Sequence, residues 1–416
     1  MRSNHTGFNL ATFRRTSLET GVEAFAAANA WWTADTAVAT TRSQDIASRD
    51  KKSAVAVQLP LDHLSELWPD KFRGARIGAL LHPASVSSNV EHASRILERH
   101  SGDLFHLAAF FGPQHGFLGQ TQDNMIEWKS YEHPRLHIPV YSLYGEHREP
   151  TAEMLRGLDV LLIDLQDIGS RYYTFVWTLY LSMRACEKCG IAVVVLDRPN
   201  PINGVTTEGP ILDPNYTSFV GMHPLLVRHG RTIGELAQQF RDEAFPNCEV
   251  SVLPMKQWER TMWFDQTGLP WVMPSPNMPT LDTATVYPGM CLFEGTNISE
   301  GRGTTRPFEI FGAPFIDAEK LCTELNNQKL PGVFFRANYF QPTFQKFAGQ
   351  LCGGAQIHVI DRECFQPFQT GLEIIRKIRA FYRDQFAWKQ PPYEYETEKL
   401  PIEILLGGPV NEFFDK

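Results

Sequence analysis

The sequence predicts an α/β protein in which a helix-covered parallel sheet is followed by a smaller α+β domain, and three observations predict it. Four apolar runs of strand length stand in order: ARIGALLH from Ala75, HLAAFFGPQ from His106, DVLLIDLQD from Asp159 and IAVVVLDRPN from Ile191. Each is hydrophobic throughout rather than alternating, as strands buried on both faces are. Between them lie helical stretches, NVEHASRILERH from Asn89 and Thr174 to Cys189, which set a βαβ rhythm. Beyond Asn203 the rhythm changes. The strand candidates SVLPM and AQIHVI, with the helix LEIIRKIRAFYRDQF, indicate a second α+β domain. These readings divide the chain into an extension over 1–60, a sheet domain over 61–225 and a second domain over 226–416.

Residues up to about 55 are rich in Ala, Thr and Ser without sustained periodicity and read as a loosely packed extension. Thr232-Ile-Gly-Glu235 has capping-box spacing, and Thr370-Gly-Leu-Glu373 repeats it. Both are structural signals that assign Glu235 and Glu373 no chemistry.

With 416 residues, 43% of them apolar, the chain can bury a large core. Its formal net charge of -8 argues against a nucleic-acid partner, which wants a basic face. No apolar run approaches the ~20 residues that span a bilayer. Arg14 and Arg15 precede GVEAFAAANAWW, but Glu19 and Glu23 interrupt the hydrophobic stretch a signal peptide needs, so a cytoplasmic protein is expected. Seven cysteines, an odd number widely scattered, fit reduced thiols in that compartment. Cys186 and Cys189 form a CxxC inside a helical stretch rather than at a helix start, where the dipole would lower a thiol pKa. Redox or metal chemistry is not expected there.

In open α/β sheets ligands bind beyond the carboxyl ends of the strands. That rule gathers His82, Gln114 with His115, Asp164 with Asp167, and Asp197 with Arg198 and Asn200. Each alone reads equally as a cap or turn residue. The segment from Pro274 to Pro314 adds Asn277, Glu294, Glu300, Arg302, Arg306 and Glu309 among Gly289, Gly295, Gly301 and Gly303. Glycine is kept where the backbone needs positive φ or a close approach. Carboxylates beside guanidiniums supply proton transfer and anion recognition, and a surface loop of solvated ion pairs is the plainer alternative. Nucleotide and hydrolase motifs fail: Gly301-Arg-Gly303-Thr-Thr-Arg306 lacks the third glycine of a dinucleotide fingerprint, and neither GxxxxGK[ST] nor GxSxG occurs.

GPQHGF at Gly112, SLYG at Ser142, DLQDIGSRYYTF at Asp164, LDRPNPING at Leu196, RHGRTIGELA at Arg228 and the PSPNMPTLDTA to SEGRGTTRPFE block resemble exo-β-N-acetylmuramidases of the NamZ type. The resemblance runs in motif order from about Arg76 to near the C-terminus. It implies a Rossmann-like first domain, a smaller α/β second domain and an active site in the cleft between them. It also implies release of N-acetylmuramic acid from the non-reducing end of peptidoglycan-derived sugars, without a cofactor. The substrate partner is an amino sugar or muropeptide, with neither nucleic acid nor membrane involved.

One departure bears on chemistry: where the family's common form is Gly-Pro-Glu-His-Gly, this chain has Gln114. An amide neither gives nor takes a proton at useful pH. Glycoside hydrolysis usually takes two carboxyl groups, and Glu300 and Glu127 are the first candidates, with Glu294 next and His115 as a further acid or base. Gln114, Asp164, Asp167, Arg171, Arg198, Asn200 and Asn277 are candidate substrate contacts. Arg302 and Arg306 are candidate readers of the lactyl carboxylate that distinguishes muramic acid. Trp128, Trp177 and Trp271 are candidate sugar platforms, with a core role as the alternative. The competing reading is a carbohydrate-binding or regulatory homologue that lost the chemistry with Gln114. A nucleotide-dependent enzyme is a third, weakened by the missing phosphate motifs.

No His/Cys/Asp cluster has metal-ligand spacing, and carboxylates suffice for glycosyl transfer. Activity on a muraminide should therefore survive exhaustive chelation. Loss with EDTA and restoration by one divalent ion would overturn this.

Overall fold

A computed structural model describes residues 56–123 and 125–415, so the extension up to residue 55 lies outside the described residues. The four expected strands form: β1 (Arg76–Leu81), β2 (His106–Gly112) and, after the short β3 (Tyr131–Glu132) and β4 (Pro139–Ser142), β5 (Val160–Asp164) and β6 (Ala192–Leu196). Helix α1 (Ala93–His100) connects β1 to β2, and α2 (Phe175–Cys189) connects β5 to β6. The unbroken apolarity has a direct cause. Ile77, Ala79, Leu81, Val160, Leu162 and Val194 enter one core, while their neighbours Leu80, Leu161, Ile163, Val193 and Val195 enter a second on the opposite face. Burying each such side chain is worth about 1.5 to 3 kcal/mol relative to exposure.

The sheet is larger than expected. After the antiparallel pair β7 (Glu208–Ile211) and β8 (Leu226–Arg228), helix α3 (Ile233–Glu243) leads into β9 (Val250–Leu253). β9 pairs in parallel with β6, completing a seven-stranded sheet of order β3-β4-β2-β1-β5-β6-β9. The SVLPM run thus belongs to the large sheet, not to a second domain, and a boundary at 225/226 would sever α3 and β9 from it. A third crossover unit has the same local pattern as an α+β start, and only long-range pairing distinguishes them. The Thr232 capping box forms as expected: its hydroxyl accepts from Glu235 N and the Glu235 carboxylate accepts from Thr232 N.

Helix α4 (Leu281–Met290) leads to an antiparallel sheet of order β10-β12-β11, built from β10 (Ile310–Ala313), β11 (Val333–Phe340) and β12 (Cys352–Val359). Helices α5 (Ala318–Asn327), α6 (Pro367–Phe381) and α7 (Pro401–Leu406) complete this part. Helix α6 begins at Pro367, so Thr370 lies within it rather than capping it. No boundary divides the two sheets into separate cores: one cluster runs from Ile163 and Val195 through Leu292 and Phe293 to Phe311, Ala355 and Ile375. Among the described residues no helix is long and apolar enough to cross a membrane.

Helices α4 and α6 cross backbone to backbone. A Cβ at Gly289 would lie 1.8 Å from Pro367 O, and one at Gly371 would lie 2.4 Å from Gly289 O. Immediately after this crossing comes the turn that carries Glu294. Gly289→Ala forces two backbones apart, and overpacking of this kind costs about 3 kcal/mol. Urea unfolding should show that loss; a variant within 0.5 kcal/mol of the parent, about the scatter of surface changes, would contradict the crossing.

Candidate active site

Four segments remote in sequence converge on one pocket of about 460 Å³. The turn after β2 supplies Gln114 and His115, the approach to α2 supplies Tyr172 to Phe175, the turn after α4 supplies Glu294 with Arg302 and Phe308 nearby, and Tyr393 and Glu394 close the wall. Asn277 also lines it, its amide donating to Gln122 O at 2.8 Å.

Arg302 is the electrostatic centre. It is 6% exposed, and its Nη2 donates to Glu294 Oε1 at 2.7 Å, its Nε lies 3.4 Å from Glu300 Oε1 and its Nη1 lies 3.8 Å from Asp123 Oδ1. Burial alone would raise the Glu294 carboxyl pKa. The charge of Arg302, the hydrogen bond from Tyr393 (2.6 Å), that from Arg302 and the charge of Lys346 together carry it below the usual value. Glu294 is therefore a carboxylate at neutral pH. Arg302 Nη1 is buried without a hydrogen-bond partner among the described residues, which leaves a donor at the pocket for a bound anion.

His115 sits in the left-handed region at φ 69 and is buried. Its Nδ1 donates to Thr121 O at 2.9 Å, leaving Nε2 as the unprotonated nitrogen. Burial, with the charge of Arg302 against the hydrogen bond to Thr121, lowers its pKa to about 4. The imidazole is thus neutral near pH 7 and unsuited to be a proton donor there, which narrows its expected acid-or-base role to that of an acceptor.

Gln114 belongs to a closed polar network. Thr174 stands at the N-cap of α2 yet gives its hydroxyl to Gln114 Oε1 at 2.6 Å. That fixes the amide, whose Nε2 donates to Tyr144 Oη at 3.0 Å. Tyr144 Oη also accepts from Met125 N at 3.0 Å and donates to Glu394 Oε2 at 2.9 Å. Gln114 and Glu394 thus meet at the Tyr144 hydroxyl.

The remaining sequence candidates are elsewhere. Asp164 and Arg198 form a buried pair, with Arg198 Nη2 2.8 Å from Asp164 Oδ2 and 2.9 Å from Val86 O. They fill the crevice beyond β1 and β5, where strand order reverses and a ligand would be expected. Asp167 accepts from Gly169 N and lies 3.1 Å from His229 Nε2. Arg171 donates from Nη1 to Pro210 O and Leu225 O and from Nη2 to Leu405 O. Asn200 holds a turn through Arg231 O and Ile202 N, and Asp197 accepts from Gly234 N at the start of α3. None of these lines the pocket. Polar residues at strand ends serve either structure or ligand binding, and here an ion pair, turns and one helix start take them.

Glu300 also lies outside the pocket lining, one layer behind Arg302, and accepts from Lys346 Nζ at 2.8 Å. Glu127 is exposed, with Tyr395 Oη 3.3 Å away. Arg306 is half exposed and donates to Glu309 at 3.0 Å. Glu309 in turn accepts from Thr283 Oγ1, bracing α4 rather than the pocket. Of the tryptophans, Trp177 and Trp128 are buried in the cores and Trp271 lies apart; the aromatic lining is Tyr172, Tyr173, Phe175, Tyr287, Phe308 and Tyr393. Sequence reasoning missed Glu394 and Tyr393. Their signal was PPYEYE, an acid between tyrosines in a stretch with no periodicity.

Comparisons with known proteins agree with this architecture. Residues 77–282 match the model of the N-terminal domain of exo-beta-N-acetylmuramidase NamZ, and residues 285–412 match that of its C-terminal domain. The chain is 46% identical over 344 residues to the peptidoglycan beta-N-acetylmuramidase NamZ of Bacillus subtilis (strain 168), covering 82% of each protein. Two crystal structures of DUF1343 family proteins from Bacteroides fragilis NCTC 9343 share the fold. One has a TM-score of 0.75 at 31% identity over 86% of this chain and 91% of its own, and the other 0.61 at 27% over 84% and 88%. With both domain models matched in order around a pocket of acids and a buried arginine, this chain belongs to the exo-beta-N-acetylmuramidase NamZ family.

Proposed function

We propose that this protein is an exo-acting glycoside hydrolase that releases N-acetylmuramic acid from the non-reducing end of peptidoglycan-derived sugars. The observation that carries the reading is a buried pocket in which one arginine keeps a carboxylate ionised and still has a donor to spare. The relative from Bacillus subtilis, named for that activity, supports it at 46% identity. Glu294 is the carboxylate that faces the sugar in this reading, and Glu300 sustains Arg302 from behind. The lactyl carboxylate is the natural partner for Arg302, whereas Arg306 is occupied at the surface by Glu309.

The competing reading is a carbohydrate-binding or regulatory homologue that kept the cleft and lost its chemistry with Gln114, but acids remain in the pocket. Glu294 and Glu394 both line it. The seven free cysteines, two of them exposed, support a reducing cytoplasmic setting.

Turnover should be seen with a β-N-acetylmuraminide and not with the matching N-acetylglucosaminide. Failure on both, in folded protein, would refute the reading. Arg302→Lys keeps charge but loses the fork, and should cost about 2 to 5 kcal/mol in kcat/KM on the muraminide. Unchanged discrimination between the two sugars would remove Arg302 from recognition.

Arg302→Met tests the ionic centre through pH. In the parent the lowered Glu294 pKa contributes stability above the unfolded value near 4.5 that is lost as pH falls through the folded one. Without Arg302, burial raises that pKa, so the variant should gain stability as pH falls through the raised value. At neutral pH it should be about 3 to 5 kcal/mol less stable than the parent. Denaturation at a series of pH values checks both the loss and the reversed slope.

A further inference from the structure

We infer that Glu394 is the proton donor to the glycosidic oxygen, and that Gln114 and Tyr144 orient it. The inference rests on the hydrolytic reading above and concerns only which group protonates the leaving oxygen.

The geometry begins with the turn. Tyr393 and Glu396 close a two-residue hairpin, Tyr393 N donating to Glu396 O and Glu396 N to Tyr393 O, both at 2.9 Å. Its central residues, Glu394 and Tyr395, have φ of 44 and 68. Such turns strongly favour Asn-Gly or Gly-Gly, because L-residues with larger side chains lose about 1 to 2 kcal/mol each in the left-handed region. Here both places hold a large side chain with a directed use. Glu394 enters the pocket and Tyr395 stacks under Arg148, whose guanidinium is 3.5 Å from the ring centroid. The preceding Tyr393 donates to Glu294 Oε2. Strain retained at a pocket wall points to a use for the residue it presents.

The hydrogen-bond inventory then fixes the carboxyl. Tyr144 Oη accepts from Gln114 Nε2 and Met125 N, which occupies both lone pairs, so its one hydrogen goes to Glu394 Oε2. Oε2 is therefore an acceptor, and in the neutral acid the proton sits on Oε1. Glu394 is 3% exposed and has no ion-pair partner among the described residues. Burial is the largest influence on it, with the nearby Glu294 charge adding to it and the hydrogen bonds from Tyr144 and Gln114 and the charge of Arg302 opposing; the result is a pKa raised to about 7. One pocket thus holds an ionised carboxylate, Glu294, and one, Glu394, that keeps its proton up to about pH 7. Environments that push two carboxyl groups apart in this way assign the acid and the base.

The step balances. Glu394 gives its proton to the glycosidic oxygen as the C1–O bond breaks, and the bonding pair stays on that oxygen. Water supplies the new C1–O bond and loses a proton to the ionised carboxylate, and solvent exchange returns the proton to Glu394. The sum is water added across the bond. Gln114 contributes what a carboxylate there could not: a neutral donor beside an acid that must keep its proton.

The test compares a natural disaccharide, whose sugar leaving group needs protonation, with an aryl muraminide bearing a good leaving group. For the parent enzyme, kcat/KM on the disaccharide should fall as pH rises through about 7, because the acid is lost. The aryl substrate should show little of that fall. Tyr144→Phe removes a hydrogen bond that favours the charged form, so the fall should move to higher pH. Glu394→Gln should lower kcat on the disaccharide by roughly 10² to 10⁴ and on the aryl substrate by much less. Equal losses on both substrates, or an unchanged alkaline fall in Glu394→Gln, would overturn the assignment. If that variant does not fold, a parent profile with no alkaline fall on the disaccharide, or no shift in Tyr144→Phe, overturns it as well. A parent inactive on both muraminides would instead refute the hydrolytic reading itself.

Discussion

Everything at the pocket depends on one buried positive charge. Arg302 is surrounded by Glu294, Glu300 and Asp123, and three acids cannot share so small a dry volume without a cation among them. Lys346 reinforces it from the rear, donating to Glu300 and to the carbonyls of Phe293 and Ile298. Phe308 lies under the guanidinium with its ring centroid 5.0 Å away. The arrangement is more a scaffold for charge than a set of independent contacts. It holds Glu294 ionised and leaves Glu394, one step further off, with a pKa raised to about 7.

The glycines of the block from Pro274 to Pro314 serve that scaffold rather than a ligand. Gly289 lets α4 and α6 touch, and a Cβ at Gly295 would meet Ile402 of α7 at 2.7 Å. Gly301, at φ 78, turns the chain so that Arg302 enters from beneath while Arg306 stays outside on Glu309. The sequence suggested that so many glycines and charges gather around a ligand. The reason differed: the backbone comes close to other backbone, and the charges are held where that packing sets them.

Much of this was legible in the chain. β1, β2, β5 and β6 are apolar throughout because both faces are buried, and that pattern is local. Gln114, His115, Asn277, Glu294 and Arg302 sit in motifs dense enough to be noticed, and all line the pocket. What was not legible depends on distance through space. β9 looks like any short strand until it pairs with β6. Asp164 and Arg198 look like ligands at strand ends until they meet each other. Glu300 and Arg302 differ by two positions, yet one faces the pocket and the other backs it. Glu394 had no periodicity, cap or motif to mark it, because a turn held in strained geometry leaves a signature in φ rather than in composition.

The wall that closes the pocket comes from the far end of the chain. Gln114 and Glu394 meet at the Tyr144 hydroxyl, yet they lie 280 positions apart in the chain. Contacts of such separation form late, after the entropy of closing the intervening chain has been met. During synthesis the large sheet can assemble while the turn at 393–396 is still unmade. A nascent chain would then carry Arg302 and Glu294 but no acid beside Gln114, and so would remain inert toward sugars until the turn at 393–396 has been made and folded.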